Sequence, residues 1–155
     1  MKKIVLAAAV AALTATPALA ATDQGVATAT VVAPITITHT TGAALDFGAF
    51  AAAAGQVSVS TAGAASSTGP VQLGTVSADS FDVAGDAGRT FSISLTGGTV
   101  TNGLDTMNFS TTAAATGTLD GLGAASFTVG GTLVVAGTES AGTYTGSYDA
   151  TVEYN

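Results

Sequence analysis

The last fourteen residues, Gly142–Asn155, read G-T-Y-T-G-S-Y-D-A-T-V-E-Y-N and decide the fold. Thr, Ser, Asp and Glu fill most of the odd-numbered positions. Small or apolar residues occupy the positions between them, namely Tyr144, Gly146, Tyr148, Ala150, Val152 and Tyr154. This two-residue period predicts one β-strand over Thr143–Tyr154 with a single buried face. A strand cannot bury its aromatic face alone. The pattern therefore predicts a sheet in which the tyrosines pack beside a neighbouring strand.

The rest of the chain also favours strands over helices. Its twenty glycines punctuate short runs in which Thr and Ser alternate with branched or aromatic side chains. The predicted strands are Ile35–His39, Val57–Ser60, Val71–Val76, Ser80–Val83, Arg89–Thr96 and Met107–Ser110. Short strands with frequent turn signals predict an all-β, immunoglobulin-like two-sheet sandwich of antiparallel strands, with a closed barrel as the alternative.

Two short motifs carry glycines with predicted roles. In Leu45–Gly48 (L-D-F-G), Leu45 and Phe47 point the same way, and Gly48 permits a bulge or a close backbone approach. In 126–135 (S-F-T-V-G-G-T-L-V-V), the Gly130-Gly131 pair predicts a hairpin. A three-residue loop that pairs Val129 with Leu133 keeps the apolar side chains on one face.

A long alternating segment precedes the first body strand. Ala27, Ala29 and Val31 share one face, with Thr28 and Thr30 between them. Pro34 cannot donate a ladder hydrogen bond and therefore interrupts the run. The sequence predicts an N-terminal arm at 21–33, a candidate donor strand, followed by a sandwich domain at 34–155.

The first twenty residues predict export. Lys2 and Lys3 precede the apolar run Ile4–Leu13, and Ala18-Leu19-Ala20 forms a small-x-small cleavage signal. This arrangement predicts a signal peptide at 1–20, and the apolar run is too short to cross a bilayer of about 30 Å. We expect the mature chain to reach the periplasm and then the cell surface or the medium.

Charge and cysteine content exclude several classes of function. The net charge is −7, and Arg89 is the only Lys or Arg after the predicted cleavage site. Nucleic acids and anionic membranes are therefore not expected partners, because phosphate binding needs basic side chains. No direct membrane anchor is predicted either. The absence of cysteine excludes disulfides and thiol chemistry.

The residues that could carry chemistry have simpler explanations. His39, the single histidine, has no nucleophile motif near it and is interpreted as a polar residue at a strand end. Asp79, Asp82 and Asp86 are interpreted as solvated turn acids, because no sugar-binding aromatic platform or calcium-loop motif accompanies them. No enzymatic activity, catalytic residue, cofactor or metal is predicted.

Several motifs together resemble a known family. They are Pro34–Ile37 (P-I-T-I), Leu45–Gly48, Phe81–Gly85 (F-D-V-A-G), Phe127–Leu133 (F-T-V-G-G-T-L) and Gly142–Tyr154. In combination they resemble an uncharacterised family of secreted proteobacterial domains of unknown function. That family is in turn similar to chaperone-usher fimbrial (pilin) subunits, in whose last strand a glycine and a penultimate tyrosine recur, as Gly142 and Tyr154 do here. The lack of cysteine implies a distant branch.

The resemblance implies a way of assembling. Fimbrial subunits are sandwiches short of one strand, which the N-terminal arm of the next subunit supplies. By this resemblance the arm residues are Ala27, Ala29 and Val31. The receiving and chaperone-binding residues are Gly142, Tyr144, Tyr148, Val152 and Tyr154. The implied partners are other copies of the chain, head to tail, together with a periplasmic chaperone and an outer-membrane usher.

Two functions therefore follow as expectations. The first is a structural subunit of an extracellular filament that polymerises by strand donation. The alternative is a self-contained secreted sandwich that serves as a binding or adhesion module. They differ in whether the arm enters a neighbouring molecule or stays with its own.

Overall fold

The computed structural model describes residues 20–155, so the predicted signal peptide lies almost wholly outside the described residues. The chain divides into two units, Met1–Val31 and Val32–Asn155. In the first unit, the described residues 20–31 form no strand, and their side chains are exposed. The second unit holds all the secondary structure described below.

Within residues 20–155 there are strands and no helix. The strands are β1 (Thr36–His39), β2 (Phe50–Ala51), β3 (Gly55–Val59), β4 (Ala65–Thr68), β5 (Val71–Gln72), β6 (Asp79–Ala84), β7 (Thr90–Leu95), β8 (Gly98–Thr101), β9 (Thr106–Thr112), β10 (Thr116–Thr118), β11 (Ala124–Val135), β12 (Thr145–Gly146) and β13 (Ala150–Tyr154). All the pairings are antiparallel. The prediction of an all-β sandwich of short antiparallel strands is confirmed.

The strands form one large curled sheet and two small ones. The large sheet has the order β1-β6-β11-β9-β8-β12, and β3 joins it through β11 and carries β4 on its other edge. The order of the three-stranded sheet is β10-β7-β13, and β2 pairs with β5 separately. The three-stranded sheet covers one half of the large sheet, and loops cover the other half.

Two apolar clusters make the core because inward side chains alternate along each strand. The first lies between the large sheet and the three-stranded sheet and contains Val83, Phe91, Leu119, Phe127, Val129 and Val152. The second lies between the large sheet and the covering loops and contains Phe47, Val57, Val59, Met107, Phe109, Leu133 and Val135. Tyr148 packs against both clusters and so marks the place where they meet.

The predicted C-terminal strand is two strands in different sheets. β12 pairs with β8 of the large sheet, whereas β13 pairs with β7 of the small one. Asp149 marks the crossing: its backbone N–H donates to Thr96 Oγ1, and its carbonyl accepts from the Thr96 N–H. The prediction of one continuous strand is therefore wrong. The alternation survives for most of the apolar set, since only Gly146 is exposed.

The predicted hairpin at Gly130-Gly131 is also wrong. β11 continues straight through both glycines and exchanges its partner on one edge from β6 to β3. A Cβ on Gly130 would lie 2.4 Å from the carbonyl oxygen of Val59, and one on Gly131 would lie 2.6 Å from that of Ser110. These glycines therefore permit close approach of neighbouring backbones instead of a turn.

Candidate functional site

An open groove lies on the loop-covered half of the large sheet. One wall is the segment 43–52, and the other is the segment 139–148. Phe81, Met107, Phe109 and Leu133 form an apolar floor between them. The groove has a volume of about 1030 Å³. Its lining is mainly apolar, and it lies next to the core cluster that the covering loops share with the large sheet.

The N-terminal wall is built by the L-D-F-G motif. An isolated backbone bridge joins Asp46 to Ser77, and Leu45 and Phe47 turn into the core on either side of it. Gly48 has a φ of +70°, and a Cβ there would lie 2.5 Å from the carbonyl oxygen of Thr75. The predicted close approach at Gly48 is thus present, and it lets the wall stand against the sheet.

The C-terminal wall is fixed through Tyr144. Its hydroxyl donates to the Ser140 carbonyl at 2.8 Å, and the Ser140 N–H donates to Asp105 Oδ2 at 2.7 Å. Hydrogen bonds from the backbone and the side chain of Ser140 hold the pKa of Asp105 below its usual value. Desolvation, followed by the nearby charge of Asp105, raises the pKa of the Tyr144 phenol.

A partly buried polar cluster joins three segments at one end of the groove floor. The Asp79 side chain accepts from Tyr148 Oη through Oδ2, and its Oδ1 lies within hydrogen-bond distance of His39 Nε2, both at 2.7 Å. The Ser80 N–H also donates to Asp79 Oδ1, at 2.8 Å. Asp79 is only 4% exposed, so the interpretation of this residue as a solvated turn acid is wrong. We name His39, Asp79 and Tyr148 the polar clasp.

The clasp has an aromatic surround. The Phe81 ring lies 5.1 Å from the His39 ring, 5.4 Å from the Phe127 ring and 6.2 Å from the Tyr148 ring. Burial, and then the hydrogen bond to Asp79, raise the pKa of Tyr148 well above its ordinary value. Tyr148 therefore keeps its proton and acts as a permanent donor to the carboxylate.

Next to the clasp lies a seam between β1 and β13, two strands that pair with β6 and β7 but not with each other. The Thr40 N–H donates to Ser80, which fixes the alternation along β1. Ile35, Ile37 and His39 therefore direct their backbone groups away from β6. The Asn155 N–H donates to the Thr90 carbonyl of β7. By the same alternation, the backbone groups of Ala150, Val152 and Tyr154 point away from β7.

Tyr154 closes the far end of the seam. Its hydroxyl donates to the Ala33 carbonyl at 2.9 Å and accepts from the Asp86 N–H at 2.6 Å. The Arg89 guanidinium lies 5.8 Å from its ring centroid. Gly85 makes room for the hydroxyl, since a Cβ there would lie 2.2 Å from it. Tyr154 thus holds the chain at the point where it leaves the folded unit.

The residues predicted as sites fall into three environments. Ala27, Ala29 and Val31 lie in the first unit and are exposed, with Val31 at 96%. Gly142, Tyr144 and Tyr148 line the groove. Val152 is buried in the core beneath the seam, and Tyr154 lies at its end.

The described chain offers little for catalysis or metal binding. Nowhere in residues 20–155 do three His, Cys, Asp or Glu side chains come together as possible metal ligands. The clasp has a histidine and a carboxylate but no Ser or Cys nucleophile on the histidine. Over the same residues, no helix is long and apolar enough to cross a membrane.

The family model described as "Domain of unknown function (DUF4402)" matches residues 35–154. The chain belongs to this family. No curated protein and no solved structure matches the sequence. The matched residues include β1, both walls of the groove, the clasp and β13, so the groove and the seam lie inside the family domain.

Sequence reasoning missed the clasp. Asp79 and His39 are forty residues apart, and each has an ordinary polar neighbourhood in the sequence. One signal was available: Asp79 has the same parity as Phe81 and Val83, so the alternation of β6 places its carboxylate on the inward face. An acid on the buried face of a strand needs donors, and this requirement could have singled out Asp79.

Proposed function

We propose that this DUF4402 chain is a structural, non-enzymatic subunit of an extracellular filament in which each copy donates its N-terminal arm to the next. The observation that carries the proposal is the groove with its seam. An open apolar groove near the outer strands β1 and β13, each of which has one unpaired edge, is what a sandwich short of one strand would present. Unpaired edges and an open apolar groove favour association with another chain.

An extended strand would pair with one of these edges, because β1 and β13 come within 8 Å of each other between Cα atoms, closer than the about 9.5 Å that a strand between them needs. Ile37 on β1 and Val152 on β13 direct free backbone groups toward the seam, and Ile35, Ile37 and Tyr154 are the half-buried side chains beside it. In strand addition, main-chain hydrogen bonds provide affinity, and alternate side chains fill pockets for specificity. The incoming strand would replace solvent along the whole line from Tyr144 to Tyr154.

The arm has the required length and pattern. Residues 22–32 extend over about 36 Å as a strand, which is more than the length of β13 (Ala150–Tyr154). The small side chains Ala27 and Ala29, followed by Val31, suit a groove whose floor aromatic rings already fill. The exposure of these side chains leaves them available to another copy.

The exit point of the chain sets the direction of donation. The arm leaves the folded unit at Ala33, whose carbonyl accepts a hydrogen bond from Tyr154. This point is the end of the seam that lies farther from the groove. For copies to add head to tail, the root of a donated arm must lie at the groove end of the receiving copy. The arm then runs antiparallel to β13. A contact of this kind does not close on itself and generates filaments.

The partners and the location follow from the same proposal. A chain that leaves the cytoplasm with an open groove needs the groove covered until a neighbour arrives. A periplasmic chaperone would provide the cover, and an outer-membrane usher would exchange it for the next arm. The filament would then lie on the cell surface. In this scheme Gly142, Tyr144, Tyr148, Val152 and Tyr154 contact the chaperone first and the donated arm later.

The test is assembly of the mature chain with its own chaperone supplied, followed by electron microscopy and by gels with and without heating. We expect fibres and heat-sensitive multimers from the wild type. We expect none after deletion of Thr22–Val32 or after Val31→Asp, which would bury an unpaired charge. The matched control is Thr30→Asp, on the opposite face of the arm, which should still assemble.

Circular dichroism and thermal melts must show that all variants stay folded. Wild-type protein that remains monomeric at high concentration would refute strand donation. It would favour the self-contained binding or adhesion module instead. Equal assembly of the Val31→Asp and Thr30→Asp variants would show that the arm does not insert with this face inward.

A further inference from the structure

Asp79 is the one buried charged residue of the described chain. Burial of a carboxylate costs free energy unless hydrogen bonds compensate, and replacement by an apolar residue is often neutral or stabilising. The clasp surrounds Asp79 with donors from β1, from its own strand and from the C-terminal wall. Because three donors hold it, the carboxylate cannot turn away from whatever enters the groove.

The groove as a whole is electrostatically one-sided. Asp46, Asp79 and Glu139 line it, whereas no Lys or Arg does. The segment that precedes Asp46 is suited to such a groove, because residues 24–45 contain no Asp, Glu, Lys or Arg. Asp23 is the sole charged residue of the arm, and it lies near the N-terminal end of the arm. A neutral strand can meet a groove that carries three carboxylates and the single base His39 without repulsion.

We propose that Asp79 determines which strand the groove accepts: it admits the neutral arm of another copy and rejects segments that place a carboxylate over the clasp. This inference rests on the proposed function and goes beyond it by assigning the selectivity to one residue. Selectivity by repulsion is a common device where apolar contacts alone would accept many sequences.

The antiparallel placement identifies the arm position that faces Asp79. If Ala33 lies beside Tyr144, each step back along the arm matches one step forward along the wall, and Ala29 lies beside Tyr148. Tyr148 is the residue that donates to Asp79 Oδ2. Ala29 is therefore the position at which a charge would be read. Ala27 and Val31 are the inward positions one pleat away.

The experiment uses fluorescent peptides that span residues 21–33 and the full mature chain, held at a concentration where it is monomeric. Glu, Gln and Lys are placed in turn at positions 27, 29 and 31 of the peptide. These three side chains are of comparable length but differ in charge. Fluorescence anisotropy gives the dissociation constant of each peptide for the wild type and for the Asp79→Asn chain.

We expect the native peptide to bind, and at position 29 we expect the order Lys, Gln, Glu from tighter to weaker. The Glu peptide should bind at least about tenfold more weakly than the Lys peptide, because two like charges within a few ångströms in a partly dry site repel strongly. In the Asp79→Asn chain the difference between Glu and Lys should disappear. The same order at 27 or 31 would also support the inference, with the register moved by two residues.

Two different failures are distinguishable. If the native peptide does not bind the wild type, the proposed function fails. If the native peptide binds but Glu and Lys weaken binding equally at all three positions, Asp79 does not select the strand and the inference alone is overturned. This charge order is read on the wild type, so the result does not depend on whether Asp79→Asn folds.

Discussion

Replacement of Tyr148 by Phe removes one oxygen atom from the polar clasp and leaves the ring in place. The Tyr148 ring lies 6.2 Å from both Phe81 and Phe109, and Phe can keep those contacts. What is lost is the 2.7 Å hydrogen bond to Asp79 Oδ2. Because Asp79 is buried, no bulk water replaces the missing donor.

The magnitude follows from the charge of the acceptor. A hydrogen bond to a charged group contributes about 1.5–3 kcal/mol, and an unsatisfied buried acceptor adds its desolvation cost. His39 and the Ser80 N–H still serve Asp79 Oδ1, so the carboxylate stays partly compensated. We therefore expect Tyr148→Phe to lower the free energy of unfolding by about 2 kcal/mol. In a domain of this size the melting temperature should fall by roughly 6–10 °C.

Urea denaturation and calorimetry of the mature chain measure both quantities. Tyr144→Phe is the matched control, since it removes a hydroxyl that bonds the Ser140 carbonyl at the exposed wall of the same groove. A clearly smaller loss of stability is expected there, because solvent can replace an exposed hydrogen bond. If the two variants lose equal stability, or if Tyr148→Phe is neutral, then Asp79 has another donor and the clasp is not the structural element described here.

Two further predictions concern stability. The pKa of Tyr148 in the folded chain is raised above 10.0, so the unfolded chain ionises this phenol first as the pH rises through about 10. The free energy of unfolding therefore falls in that range. Tyr148→Phe should make this alkaline loss of stability shallower in denaturation curves from pH 8 to 11. Gly130→Ala should cost about 1–3 kcal/mol, because the added methyl meets the Val59 carbonyl oxygen. Gly121→Ala, with nothing within 4 Å, is its control and should change stability by less than about 1 kcal/mol, whereas equal effects would contradict the close approach of β3.

Periodicity in the sequence was sufficient for the fold class and for most of the apolar faces. Val152 was placed on the buried face by alternation, and it lies in the core. The body strand after Pro34 was also expected, and β1 begins at Thr36. These features depend on residues close in sequence, which share one backbone geometry, so a local pattern reports them.

Glycine was the least informative residue on its own. Gly130-Gly131 and the turn glycines look alike in sequence. At positions 130 and 131, however, the lack of a Cβ allows a neighbouring backbone to approach, and the chain does not turn. The break at Asp149 was hidden for a similar reason. Its cause is Thr96, which lies between β7 and β8, and the alternation of the tyrosines continues on both sides of Asp149.

The sequence by itself determined that this chain is built from strands, that its C-terminal residues bury one face, and that a neutral alternating arm precedes Pro34. Each follows from the two-residue period of an extended backbone and the rigidity of proline. Only the tertiary structure decided that β1 and β13 each leave one edge unpaired. It also decided that the loops 43–52 and 139–148 leave a groove between each other, and that His39, Asp79 and Tyr148 meet at the floor of this groove. Those features depend on which distant strands become neighbours, and the pairing of strands is fixed by the packing of the whole domain.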